Sequence, residues 1–185
     1  MSAQGAGRLK LGPMPAGRVM EAVDERFVRA PVQTIFEIAS RVADWPAHLS
    51  HYRYVRFRER MSESGGLVEM AAYRPFQIVD TSRGALRFNW RTWWLSEMRV
   101  DDVKPSIRFR HVAGVTKGME VEWTFAPAPG GTLVRILHVW DGPRIPVIGK
   151  WAATYLIGPV FVHGIASRTL AGLGAVAERQ ASEQK

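Results

Sequence analysis

The sequence contains no cysteine. That excludes disulfides, thiolate metal sites and a cysteine nucleophile, and it fits a reducing compartment. It also lacks any run of five basic residues and any basic helix. A nucleic-acid partner is therefore not expected, although basic residues are in surplus. No Gly-x-Ser-x-Gly, His-Glu-x-x-His, phosphate-binding loop or dinucleotide fingerprint occurs, so the enzyme classes those motifs mark have no support here. Asp44, His48 and His51 have the spacing of one helical face, but Pro46 lies among them and breaks it. Neither a metal nor any other cofactor is expected. No secretory signal is visible, because residues 1–18 are rich in Gly, Pro and Ala and no apolar core follows them. A membrane-spanning helix needs about 20 predominantly apolar residues. The nearest candidate, Trp151 to Ala166, is short, holds Tyr155 and His163, and is interrupted by Gly158-Pro159. It reads as a buried core helix. The expected location is cytoplasmic, with peripheral contact at an anionic membrane left open.

What is present describes one domain with a real core. The chain has 185 residues, 46% of them hydrophobic and 23% charged, which is ordinary for a globular protein. Net charge is +8, from 25 Lys and Arg against 17 Asp and Glu. Such a balance favours anionic partners without choosing among them.

Taken in order, Val19 to Val28 reads as a strand that ends before Ala30-Pro31. A helix starts at Pro31 and places Val32, Ile35, Phe36 and Ala39 on one face. It stops before Asp44-Trp45-Pro46, where Pro46 is expected to push Trp45 out of the helical region. A second short helix or turn follows. His51 to Arg60 is a strand with Tyr52, Tyr54, Arg56 and Arg58 on one face and Val55 and Phe57 on the other. Leu67 to Arg74 is the next strand, and Pro75 to Arg83 a less regular link with room for a short strand. Ala85 to Met98 is a long Trp-rich strand. Ile107, Phe109 and His111 alternate with Arg108 and Arg110; Met119, Val121, Trp123 and Phe125 alternate with Glu120, Glu122 and Thr124. Thr132 to Trp140 is the last strand. From Pro146 to Gln180 the chain turns apolar and helical, with no formal charge between Lys150 and Arg168. Val162, Ile165, Thr169, Leu173 and Val176 form its stripe, while Thr154, Ala171, Gly172 and Gly174 keep it slim and leave room beside it.

This order predicts an α+β domain in which a curved antiparallel sheet of about six or seven strands wraps a long C-terminal helix, with two short helices after the first strand. The expected limits are a mobile leader over 1–18, the domain over 19–180 and a disordered tail over 181–185. The stretches FVRAPVQTIFEIASRVADWP and FRHVAGVTKGMEVEWTFAPAPGGTLVRI resemble the START-like superfamily and its helix-grip fold. Polyketide aromatase/cyclases, Bet v 1-like proteins and coenzyme Q-binding proteins are members. The resemblance implies a deep cavity between sheet and long helix for an apolar or aromatic ligand.

The sequence has material for such a cavity in seven Trp and eight Phe. Candidate ligand-binding residues are Trp45, Tyr73, Phe88, Trp90, Trp94, Phe109, His111, Trp123, His138, Tyr155 and Phe161. His111 shares a face with Ile107 and Phe109, so it can orient a ligand oxygen or move a proton in an apolar setting. His163, on the long helix, is placed to meet His111 or His138. In the cyclases a pocket Arg is held to position the polyketide and its enolates, since a guanidinium stays charged and offers several donors. Here Trp93-Trp94 stand where that resemblance expects paired Arg, leaving Arg91, and Arg74 beside Tyr73, as the candidates. His111 and Arg91 are thus the catalytic candidates. Two functions follow. One is carriage of a lipid, isoprenoid quinone or polyketide in an internal cavity. The alternative is aldol cyclisation and dehydration of a poly-β-ketone chain.

Overall fold

The computed structural model describes residues 11–80, 84–142 and 163–184, with side chains given outside 74–90. Its order is β1 (Met20–Val28), α1 (Val32–Ser40), a short 3-10 turn (Val42–Asp44), α2 (Trp45–His48), β2 (Tyr52–Ser62), β3 (Gly65–Asp80), β4 (Gly84–Asp101), β5 (Ser106–Gly114), β6 (Glu120–Ala128), β7 (Gly131–Trp140) and α3 (His163–Glu183). The seven strands form one sheet in the order β1-β7-β6-β5-β4-β3-β2. Every pairing is antiparallel. This is the expected helix-grip arrangement, with a curved sheet and a long helix on one of its faces.

Alternation within the strands decides which side chains meet the helices. Ile107, Phe109 and His111 of β5 are buried, as are Val121, Trp123 and Phe125 of β6 and Val134, Ile136 and His138 of β7. Helix α1 contributes Ile35, Phe36 and Ala39, and α3 contributes Ala166, Thr169, Leu170, Leu173, Val176 and Ala177. The first residue of α3, His163, does not reach the cavity histidines. Its Nδ1 lies 2.5 Å from Asp24 of β1. Burial raises the pKa of Asp24 against the opposing pull of His163. The pair ties the start of the helix to the sheet edge.

Four local expectations are corrected. Trp45 is helical, with φ −53° and ψ −41°. Proline in the first turn has no intrahelical N–H bond to lose, and burial of Trp45 to 3% exposure holds it there. In β2 a register shift between Tyr52 and Tyr54 adds one residue and reverses the alternation. Tyr52 therefore joins Val55 in the core, not Tyr54. The supposed link Pro75 to Arg83 is strand as far as Asp80. Tyr73 N donates to His51 O at 2.7 Å on the β2 side. Two residues on, Pro75 turns its nitrogen to that same side, beyond the last β2 partner, where no ladder bond is lost. Gly172 and Gly174 do not leave open space. A Cβ on Gly172 would meet Leu49 Cδ2 at 2.1 Å, and one on Gly174 would meet Val28 Cγ2 at 3.2 Å. The small residues permit close packing. Helix α3 runs to Glu183, and before β1 Leu11 is buried and Arg18 is bonded to Asp141.

Candidate ligand-binding site

A cavity of about 80 Å³ lies between the inner face of the sheet, α2 and the first turns of α3. Rings form a continuous wall. Phe125 is 6.5 Å from Trp123, Trp123 is 5.6 Å from Trp45, and Trp45 is 5.3 Å from Tyr52, centroid to centroid. Tyr52 is 6.3 Å from Trp94, which stacks on His111 at 5.9 Å and 21°. Edge and offset contacts of this kind are favourable beyond simple area burial. Met70, Phe109, Met119, Val121 and Ile136 fill the spaces between the rings. Among the described lining residues there is no Asp, Glu, Lys or Arg.

The polar groups are few and each has a distinct position. The β5–β6 connection folds back so that Gly118 N donates to His111 O and His111 N donates to Met119 O, both at 2.8 Å. Gly114 has φ +92°, and a Cβ there would lie 2.4 Å from the carbonyl oxygen of Trp93, so glycine is required for this turn. The connection brings Thr116 Oγ1 to 2.6 Å from His111 Nδ1. Burial, and secondly the neighbouring His138, push the His111 pKa down to about 3. Burial alone takes His138 to about 3. Both imidazoles are therefore neutral at physiological pH, each able to donate and to accept one hydrogen bond. His138 Nδ1 and Trp45 Nε1 are buried without a hydrogen-bond partner among the described residues. A buried polar atom left in this way costs about 1–3 kcal/mol.

A second polar group sits across the cavity. Thr169 Oγ1 donates to Ile165 O at 2.8 Å. It can then accept from Tyr52 OH at 3.4 Å and from His51 Nε2 at 3.2 Å. Burial pushes the Tyr52 phenol well above its ordinary value, so it keeps its proton. Burial, with Arg168 nearby, lowers His51 to about 4.

The structure brings together six of the candidates drawn from sequence: Trp45, Trp94, Phe109, His111, Trp123 and His138. It places Arg91 and Tyr73 elsewhere. Trp94 and Thr92 are buried, and Arg91 and Trp93 between and beside them are exposed. Arg91 thus projects from the outer face, opposite Tyr73 in register, and cannot serve the cavity. The side chains of Arg74, Phe88 and Trp90 are not described, and Tyr155, Phe161 and the Gly158-Pro159 break lie outside the described residues. Sequence reasoning missed Tyr52, Met70, Thr116 and Thr169 as cavity residues. Tyr52 was hidden by the bulge. Thr169 belongs to the helical stripe, whose spacing does not separate packing from cavity residues. Thr116 lies in a connection that carries no periodic signal.

Residues 28–154 match the family model for polyketide cyclase/dehydrase and lipid transport. The chain belongs to that family. A search of curated proteins finds no match. Among solved structures, the fold is similar to that of a Thermus thermophilus protein, with TM-score 0.68 and 20% identity over 88% of this chain and 99% of that one. It is similar to the Zhui aromatase/cyclase from a Streptomyces species, with TM-score 0.69 and 15% identity over 87% of this chain and 94% of that one. A START superfamily protein from Mycobacterium smegmatis has TM-score 0.53 and 15% identity over 89% of this chain and 99% of that one. The fold that the START-like resemblance implied is thereby shown. The family unites cyclisation, dehydration and lipid transport, and an apolar small molecule is the ligand common to them. No helix among the described residues is long and apolar enough to cross a membrane.

Proposed function

We propose that the protein carries an apolar or aromatic small molecule bearing a hydroxyl or carbonyl oxygen, held in the ring-lined cavity. The observation that carries this reading is the pairing of an aromatic wall with unsatisfied neutral polar atoms. His138 Nδ1 and Trp45 Nε1 lack partners among the described residues, and a ligand oxygen is the kind of group that satisfies them. The uncharged described lining suits a neutral ligand. A cavity of about 80 Å³ is small for a drug-sized molecule, so binding is expected to move rings such as Trp45 or Trp94. The +8 charge supports exchange of the ligand at an anionic membrane.

The test is native mass spectrometry of the protein purified from its own host, followed by titration of the ligand found. A co-purifying oxygenated lipid, quinone or polyketide supports the reading, and His138→Phe should then weaken its binding by about tenfold. Equal binding of a pure hydrocarbon and its hydroxylated analogue would sink it. One observation favours the cyclase reading: His111 is held by Thr116 in a fixed orientation, as a proton-moving group needs to be. On that reading His111→Ala abolishes turnover of a poly-β-ketone substrate while affinity survives; on the carrier reading it changes affinity alone.

A further inference from the structure

The outer face of the sheet carries a second cluster that shares no residue with the cavity. Across β2, β3 and β4 the register sets Tyr54, Ala71 and Trp93 opposite one another. Ala71 is fully buried in the middle of this row, while Trp93 is 47% exposed. A depression lies beside the two rings. Together with Arg58, Glu69 and Leu95 the two rings border a volume of about 310 Å³.

Glu69 in this depression is already supplied with donors. Tyr54 OH donates to it at 2.8 Å, Arg56 Nε at 3.2 Å, and Arg58 Nε completes the set. Burial acts against its charge, but those hydrogen bonds prevail and hold its pKa below the usual value. Two further arginines lie beyond it. The Arg53 guanidinium lies 6.0 Å from the Tyr54 ring and 5.6 Å from that of Tyr73. Tyr73 is the register partner of Arg91. Arg53 and Arg91 are exposed, and neither forms an ion pair among the described residues. Arg56 and Arg58 instead share Glu69.

We propose that this face docks an acidic segment of a partner protein, which seats an apolar side chain in the depression and sets carboxylates on Arg53 and Arg91. Trp, Tyr and Arg are the residues in which interface energy concentrates. A guanidinium steadied beside aromatic rings presents its planar fork to a carboxylate. A second copy of this chain is a poor occupant, since it brings another +8 to an already basic face. Three register shifts in β2 also interrupt the edge ladder that strand pairing between copies needs. A lipid surface fits less well, because the apolar area is a recess bordered by Tyr54, Trp93 and Leu95 and not a broad flat patch.

The probe is a fluorescein-labelled synthetic peptide of alternating Glu and Leu, titrated into the full chain and read by anisotropy. Joint substitution Arg53→Gln and Arg91→Gln should weaken binding about tenfold, and Trp93→Ala should do so about equally with no change of charge. Trp93→Phe should restore most of that loss. The charge-matched pair Lys104→Gln and Arg179→Gln, away from this face, should change binding less than about twofold. Thermal melts establish that each variant is folded. Equal weakening by the two charge-matched pairs would mean diffuse attraction and overturn the proposal, as would a Trp93→Ala variant that binds normally. It is equally overturned if the peptide fails to bind while phosphatidylglycerol vesicles bind in a Trp93-dependent way, or if Trp93→Ala abolishes a dimer seen in sedimentation.

Discussion

The two faces of this one sheet hold polar groups at similar depth and treat them in opposite ways. On the inner face His111 is 8% exposed and its Nδ1 partner is a threonine hydroxyl. On the outer face Arg108 and Glu120 are each 6% exposed and are paired at 2.7 Å, with Arg110 at 2.8 Å from the other oxygen of Glu120. Similar ion pairs run across the outer surface, from Arg135 and Glu25 at one side to Arg56, Arg58 and Glu69 at the other. Depth alone therefore does not decide what a polar side chain does. A buried group with an opposite charge beside it can remain charged; a buried imidazole offered only neutral partners gives up its proton. The result is a neutral interior that suits an uncharged ligand and an exterior that suits charged ones.

Breaking the outer pairing should have the largest effect. Glu120→Ala leaves Arg108 buried with, among the described residues, only the more distant Glu122, at 3.7 Å. It should cost about 3–5 kcal/mol of unfolding free energy in urea melts. Replacing the pair together, as Arg108→Met with Glu120→Leu, should recover most of that. If the double variant is as unstable as the single one, burial of charge is not the cause.

The inner face is sharpened by acid. His111 and His138 have folded-state pKa values of about 3, below the unfolded value of 6.5. Their contribution is fully present above pH 6.5. As pH falls from there toward 3 the unfolded chain takes up protons that the native one refuses, so stability falls. The slope should be about 1.4 kcal/mol per pH unit for each histidine. His111→Gln with His138→Gln should flatten that part of the urea-midpoint curve. An unchanged curve would show that neither histidine is held neutral.

Smaller effects test single contacts. Thr116→Val removes the bond to His111 and should cost about 1–2 kcal/mol. Its signature is a change in the His111 ring nitrogen resonances with the His138 signals little affected. Trp93→Ala, on the exposed outer surface, should change stability by no more than about 0.5–1 kcal/mol. A larger loss would show that Trp93 belongs to the fold and not to a docking face.

Much of this contrast was legible along the strands. IRFRHV and MEVEWTFA assign His111 and Trp123 to one face and Arg108 and Glu120 to the other, and the structure agrees. Legibility failed where alternation was interrupted. The bulge in β2 moved Tyr52 inward. In β4 Arg91 stands among Trp residues, but its parity with Trp94 sends it outward. Thr116 could not be found because a turn places it by glycine geometry, not by period.

The sequence by itself determined the order of elements, the alternating faces and the family, because hydrophobic period and turn residues are local properties. Tertiary structure decided which distant residues meet. His111 and His138 come from β5 and β7, Trp45 from α2 and Thr169 from α3, and only packing makes them one cavity. It also decided charge. A histidine loses its proton, and an arginine finds its carboxylate, through burial and neighbours on other strands, which the linear order does not contain.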